Sequence, residues 1–300
     1  MTKYLEIMQH ACKILEETGF TKDIAKKDVE EILLHICHFD RAKLISSRNE
    51  EIPETFKPLF QAAINSRLHH KPIQYITHNA NFCGYSFFVN EDCLIPRVDS
   101  EILVENAFEY VKNNIKLFKN NVNNHAKIKI LDACCGSGCL GLSLCRMISD
   151  KKLITLGDIE ITLLDKSSLA IQVAKINAQK LQINANFVIS DVLVNYFGDQ
   201  RYDIILCNPP YIETDVIDTL EPEVKNYEPK IALDGGKDGL LFYKALAKNL
   251  KENLNPNSKV FFEIGYNQGS IVEEIYKNEN FKVELLKDYG NNDRCVVVSL

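Results

Sequence analysis

Asn208-Pro209-Pro210-Tyr211 is the stretch of this chain whose residue types and order most clearly specify chemistry. A primary amide nitrogen is a poor nucleophile because its lone pair is delocalised into the carbonyl. It carries two N–H donors, and Asn208 Oδ1 with the Pro209 carbonyl would supply two acceptors. Bonding both hydrogens fixes the nitrogen and aims its lone pair. Two prolines stiffen the loop, so little ordering entropy remains to be lost on binding. Tyr211 could stack on the planar amide. A methyl group on a positive sulfonium is already activated, so orientation can carry much of the rate. No strong base is required, and residues 126–300 contain no His to act as one. A proline-rich turn accounts for Pro-Pro but not for Asn and Tyr at the end of a strand.

A second group of residues suits a nucleotide-like cofactor. Asp132-Ala133-Cys134-Cys135-Gly136-Ser137-Gly138 follows an apolar run and opens a helical pattern. Glycines let the backbone approach a ligand closely, and the helix beyond presents free N–H groups. The next apolar run ends at Asp165, placed to bind ribose hydroxyls, 27 positions after Gly138. The dinucleotide fingerprint has about 20. The run after that ends in Ser190-Asp191, offering a carboxylate to an adenine amino group. Each Asp could alone be a helix N-cap. Three successive strand ends with suitable groups are a much less common accident.

These residues need a sheet to position them. Strands are predicted at 128–133, 161–164, 187–189, 202–207 and 260–264, with helices such as 168–181 and 241–254 between them. Strands alternating with helices imply a parallel sheet covered on both faces. A terminal pair of strands, 281–285 and 295–300, flanks a turn at Gly290-Asn291. Residues 100–114 read as a helix and 119–124 as a polar loop. Upstream, residues 1–71 form a helical domain: Leu5, Met8, Cys12 and Leu15 recur at helical spacing, Asp28 starts a second helix, and a third covers 55–69. Residues 72–94 form a β-hairpin linker, uncharged from Pro72 to Asn90 and rich in aromatic and branched residues. The remainder, 95–300, is the catalytic domain.

Composition narrows the function classes. The chain has 300 residues, 46% apolar and 25% charged, ordinary for a globular protein long enough to bury its core unstapled. Its net charge of -6 falls wholly after residue 90, which argues against a protein held by nucleic-acid phosphates. The ten cysteines show no Cys-x-x-Cys spacing, so no metal site is expected and they read as reduced core residues of a cytoplasmic protein. No apolar run approaches the ~18 residues of a membrane span.

Taken together, the chain resembles the HemK/PrmC family of peptide-chain release factor N(5)-glutamine methyltransferases. The resemblance runs through Lys71-Pro72-Ile73-Gln74-Tyr75-Ile76, Leu94-Ile95-Pro96-Arg97 with Asp99-Ser100-Glu101, the Asn-Pro-Pro-Tyr tetrapeptide, Tyr227-Glu228-Pro229, Ala232-Leu233-Asp234-Gly235-Gly236 with Asp238-Gly239-Leu240, Glu263-Ile264-Gly265, and Asp293-Arg294. It implies a class I S-adenosylmethionine-dependent methyltransferase, an α/β fold with a Rossmann-like seven-stranded sheet and a small all-helical N-terminal domain that docks class 1 release factors. S-adenosylmethionine would be the cofactor and S-adenosylhomocysteine its product. Asn208, Pro209, Pro210 and Tyr211 would hold the substrate glutamine. Asp132, Cys134, Cys135, Gly136, Ser137, Gly138, Asp165, Asp191, Val192 and Asn208 would hold the cofactor. The family often has Gly at Cys134 and, in some members, Trp at Val192, which here leaves less stacking area beside the adenine. A cytoplasmic monomer touching neither nucleic acid nor membrane is expected.

Three other readings stand beside this one. An adenine N(6)-methyltransferase could use the same tetrapeptide, because the exocyclic amine is also a conjugated nitrogen with two hydrogens; it would need phosphate-binding Lys/Arg. A non-catalytic subunit could bind a partner through residues 1–70. A nicotinamide dehydrogenase would explain Gly136, Gly138 and Gly141 as Gly-x-Gly-x-x-Gly, but not Asn208 to Tyr211.

Overall fold

A computed structural model describes residues 2–124, 126–195, 197 and 199–300. The chain divides into two compact units: residues 1–79 with 221–227, and residues 80–220 with 228–300.

The first unit is helical, with helices Tyr4–Glu17, Lys22–Cys37, Arg41–Ser46, Lys57–Leu68 and Ile73–Thr77. Their apolar faces meet in a core that includes Leu15, Val29, Ile32, Leu33, Phe60 and Ile64. The second helix starts at Lys22, not at Asp28, because Thr21 caps it by accepting the Ile24 N–H. Asp28 is instead a buried residue inside that helix. It accepts from Arg67 Nε at 2.6 Å, and Arg67 also reaches Glu223 at 2.7 Å. The Arg67 guanidinium lies 4.2 Å from the Phe20 ring centroid, and the Tyr227 hydroxyl donates to the His69 carbonyl at 2.7 Å. These contacts hold residues 221–227 within the helical unit.

The second unit opens with a short hairpin, β1 (Ala80–Phe82) and β2 (Tyr85–Phe87). Its two-residue turn, Cys83 (φ 49°) and Gly84 (φ 79°), has both central residues at positive φ, the hairpin turn that matches strand twist. Strand pairing therefore begins later than the sequence suggests, since residues 73–77 are helical.

The main sheet comprises β3 (Ile128–Ala133), β4 (Ile159–Asp165), β5 (Ala185–Ile189), β6 (Tyr202–Cys207), β7 (Leu254–Glu263), β8 (Lys282–Lys287) and β9 (Asp293–Ser299). Its order is β5-β4-β3-β6-β7-β9-β8, parallel through β7, with β9 antiparallel to both neighbours. Both faces are covered, so alternate residues enter opposite cores. Ile130, Ile204, Leu206 and Phe261 enter one; Leu131, Ile205, Val260 and Phe262 enter the other. This arrangement is the α/β class I methyltransferase fold. The order reverses between β3 and β6, which opens a crevice at their carboxyl ends.

Two elements differ from the sequence expectation. Residues 119–124 are not a loop but largely the end of helix Ile115–Asn123, whose Ile115, Phe118 and Val122 face the core at helical spacing among asparagines. The helix expected over 241–254 stops at Ala247; a 3₁₀ turn covers Leu250–Asn253, and Leu254 already pairs with Tyr202 in the sheet.

Candidate active site

The carboxyl ends of β3, β4, β5 and β6 wall one cleft. Among its lining residues are Cys134, Cys135, Gly136, Ser137, Asp165, Asp191, Val192, Asn208 and Pro210. Of the residues singled out from the sequence, Asp132, Gly138, Pro209 and Tyr211 do not line it.

The glycine loop owes its shape to three alternate tight positions. Cys134 (φ 56°), Gly136 (φ 52°) and Gly138 (φ 76°) are all left-handed. A Cβ on Gly138 would sit 3.0 Å from Leu142 Cδ1 and 3.2 Å from Leu163 Cδ1, so the left-handed conformation favours glycine and a side chain would also press on both leucines. Cys134 bears its side chain at a conformation that costs a residue with a Cβ ~1–2 kcal/mol. Its side chain packs against the core beside β6.

Asp132 acts behind the loop. It is fully buried, and its Oδ2 accepts the Gly141 N–H at 2.8 Å, one of the first free donors of helix Cys139–Asp150. Burial holds its carboxyl well above the usual carboxylate range. A Cβ on Gly141 would lie 2.8 Å from Asp132 Cβ and from Ile161 Cδ1, which fixes the third glycine of the run as a packing residue.

Asp165 serves loop and cleft together. Its Oδ2 accepts the Gly136 N–H at 2.9 Å and its Oδ1 the Ser167 N–H at 2.8 Å. Each oxygen keeps a lone pair for a further donor. Burial raises its pKa, and the backbone N–H bonds oppose that rise. Asp191 differs: Lys166 Nζ at 2.8 Å holds its carboxyl below the ordinary range, and the Leu193 N–H donates to it at 3.0 Å. A cofactor amine at Asp191 would share the carboxylate with Lys166. Val192 is buried at the same strand end.

Asn208 follows β6 directly, half-buried on the cleft wall, and among the described residues its amide makes no hydrogen bond. Tyr211 does not line the cleft. Its hydroxyl donates to Glu263 Oε1 at 3.2 Å, a carboxyl that is 1% exposed and whose pKa burial raises. Burial raises the Tyr211 phenol as well.

Asn177, not singled out in the sequence, and contacts between the quoted motifs complete the site. Asn177, fully buried, donates to the Ser137 and Phe88 carbonyls at 2.9 Å each and accepts the Phe88 N–H at 2.6 Å, joining the glycine loop to the chain after β2. Arg97 pairs with Glu228, which also accepts the Ile95 N–H at 3.2 Å. Two blocks far apart in sequence thus meet at the cleft wall, where Arg97, Pro229 and Ile231 stand. Their opposite charges were the available signal. Gly235 touches the tetrapeptide: its Cβ would lie 2.7 Å from Tyr211 Cα.

Comparison with known proteins bears on the family. Residues 6–77 match the model of the PrmC N-terminal domain, and residues 109–221 that of the methyltransferase small domain. The release factor glutamine methyltransferase of Clostridium acetobutylicum is 36% identical over 300 residues, spanning 98% of both chains. That of Clostridium botulinum is 36% identical over 273 residues, 90% of each. The solved hMettl16 catalytic domain with the MAT2A 3'UTR hairpin 1 shares the fold at 15% identity and a TM-score of 0.51, covering 85% of this chain and 84% of that one. Full-length identity to the two clostridial proteins, with a family-specific N-terminal domain ahead of the methyltransferase sheet, makes the chain a member of the release factor glutamine methyltransferase family.

Proposed function

We propose that the chain transfers a methyl group from S-adenosylmethionine to the side-chain amide nitrogen of the glutamine in the Gly-Gly-Gln loop of class 1 peptide-chain release factors. The observation that carries this reading is the Asn208 amide at the end of β6, which among the described residues makes no hydrogen bond and lines the same cleft as Asp165. The residues present fit the cofactor. Asp165 has lone pairs left for two ribose hydroxyls, Asp191 and buried Val192 suit the adenine, and Cys134 to Gly138 turn tightly beside them. S-adenosylmethionine supplies a methyl carbon already activated by its positive sulfonium.

The protein's share of the reaction is orientation. Asn208 Oδ1 accepts one N–H of the substrate amide, and the Pro209 carbonyl accepts the other. The nitrogen lone pair is then directed at the methyl carbon rather than left to rotate. As the nitrogen–methyl bond forms, the methyl–sulfur bond would break and leave S-adenosylhomocysteine; the amide, then protonated on nitrogen and strongly acidic, would give that proton to solvent without a dedicated base. Pro96, Pro210, Pro229, Ile231 and Phe242 give the cleft an apolar lining for the glutamine side chain.

We further propose that residues 1–71 dock the release factor, with residues 72–94 as linker and 95–300 as the catalytic part. The protein would act as a cytoplasmic monomer touching neither nucleic acid nor membrane. The net charge of -6 argues against binding nucleic-acid phosphates. Asn208→Ala tests the reading. It leaves one amide N–H unpaired in a closed pocket, ~1–3 kcal/mol, and frees the nitrogen to rotate. Turnover on release factor should fall more than about tenfold, with S-adenosylhomocysteine affinity near that of the wild type. Undiminished turnover would remove Asn208 from the mechanism.

A further inference from the structure

The backbone of the tetrapeptide is gripped from behind by one side chain outside it. Gln268 lies in the loop after β7 and is 8% exposed. Its Oε1 accepts the Gly265 N–H at 2.9 Å. Its Nε2 donates to the Tyr211 carbonyl at 3.0 Å and to the Gly239 carbonyl at 3.2 Å. An N–H on one side and two carbonyls on the other leave the amide a single sensible orientation. The packing is as tight as the bonding. A Cβ on Gly239 (φ 67°) would lie 2.4 Å from the Tyr211 oxygen and 2.6 Å from Gln268 Nε2. The next residue is held too: Ile212 donates to the Leu233 carbonyl at 3.0 Å and accepts the Gly235 N–H at 2.8 Å. The bonds to Tyr211 and Ile212 fall on main chain at the end of the tetrapeptide, away from the Asn208 side chain.

We infer that Gln268 is a positioning residue for the methyl transfer: its amide fixes the main chain of Asn208-Pro209-Pro210-Tyr211 against the Gly235–Gly239 loop, and so sets where Asn208 Oδ1 and the Pro209 carbonyl stand. This rests on the function proposed above. Prolines stiffen the loop along its length, but they do not anchor its end; the Tyr211 carbonyl bond does. Small displacements of orienting groups act on turnover far more than on affinity for the cofactor, because Asp165 and the glycine loop belong to other strand ends.

Gln268→Glu separates positioning from mere packing. The introduced carboxylate keeps the acceptor for Gly265 but loses both donors and faces two carbonyl oxygens. At pH ~8 the variant should show kcat on release factor lowered at least about tenfold per cofactor-binding site. Its S-adenosylhomocysteine affinity should stay within about twofold of wild type. Lowering the pH should narrow the deficit relative to wild type, because a protonated carboxyl regains one donor. Gln268→Met, similar in length and without polar atoms, should be equally slow and show no such pH dependence. Hydrogen exchange at Tyr211, Ile212 and Gly235, measured without substrate, should quicken in both variants. Wild-type kcat in Gln268→Glu at pH ~8, or unchanged exchange at these amides, would overturn the inference. If wild-type protein itself fails to methylate release factor, the proposed function falls, and the exchange measurement alone decides the role of Gln268.

Discussion

Replacing Asp165 with Ala is the perturbation whose consequences can be worked out most fully. In the protein alone the carboxylate makes two backbone bonds, to Gly136 N–H at 2.9 Å and Ser167 N–H at 2.8 Å. Bonds to an ionised acceptor contribute ~1.5–3 kcal/mol each, but both amides are part-buried and can be rehydrated. A total stability loss of about 1–3 kcal/mol is therefore expected. Cofactor affinity suffers twice, since the ribose hydroxyls lose their acceptors and the glycine loop loses its tie to β4. A loss of at least about tenfold follows, since each 1.4 kcal/mol is tenfold. Asp165→Asn should fall between wild type and Asp165→Ala, because one carbonyl oxygen of the same shape remains. The pH behaviour adds a second signature. Burial raises the folded-state pKa of Asp165, so protonation adds stability that is full below its unfolded pKa of ~3.9 and is lost as pH rises through the folded value, while the two backbone bonds remain. Cofactor affinity runs the other way, falling as pH drops through that raised value, because the hydroxyls need a carboxylate. Calorimetric titration with S-adenosylhomocysteine, alongside thermal unfolding, reads both. Unchanged affinity in a folded Asp165→Ala protein would refute the assignment.

Other substitutions test separate parts of the account. Arg67→Ala leaves Asp28 buried without its cation and should cost the helical unit about 3–5 kcal/mol, read by denaturant unfolding; a loss below ~1 kcal/mol would show the pair to be dispensable. Gly239→Ala places a methyl 2.4 Å from the Tyr211 carbonyl oxygen and should lower turnover at least about tenfold with cofactor affinity retained; normal turnover would mean the loop yields freely. Cys134→Gly relieves a left-handed conformation worth ~1–2 kcal/mol but gives up side-chain packing and adds ~0.4–1 kcal/mol of unfolded-state entropy. Its unfolding free energy should lie within about 1 kcal/mol of wild type, a shift of ~2–4 °C in melting temperature. A loss above ~3 kcal/mol would assign the Cys134 side chain a larger structural role.

The sheet was legible because buried parallel strands are continuous apolar runs, and because Asp165, Asp191 and Asn208 each punctuate the end of one. The amphipathic N-terminal helices were legible for the same reason of period, though the Thr21 cap was passed over for Asp28, whose burial depends on a partner 39 residues away. Helix Ile115–Asn123 was hidden by its asparagines: intrinsic preference there is weak, and packing of Phe118 decides the outcome. Tyr211 shows the limit within the site. Its place in the motif was evident, but its hydroxyl is committed to Glu263, and only the fold brings those two residues together. Gln268 and Asn177 were unreadable likewise, since each acts on main chain far away in sequence with no local pattern to announce it. Arg97 and Glu228 stand in legible motifs, but only the fold pairs them.

The central claim is that the methyl group goes to one glutamine nitrogen, and locating the product tests it most directly. Purified release factor is incubated with the protein and isotopically labelled S-adenosylmethionine, then digested and read by tandem mass spectrometry. The account predicts one added methyl on the side-chain amide of the glutamine in the Gly-Gly-Gln loop, and no label in a release factor carrying alanine at that position. Label retained by the alanine-bearing factor, or comparable methylation of adenine in nucleic acid, would contradict it.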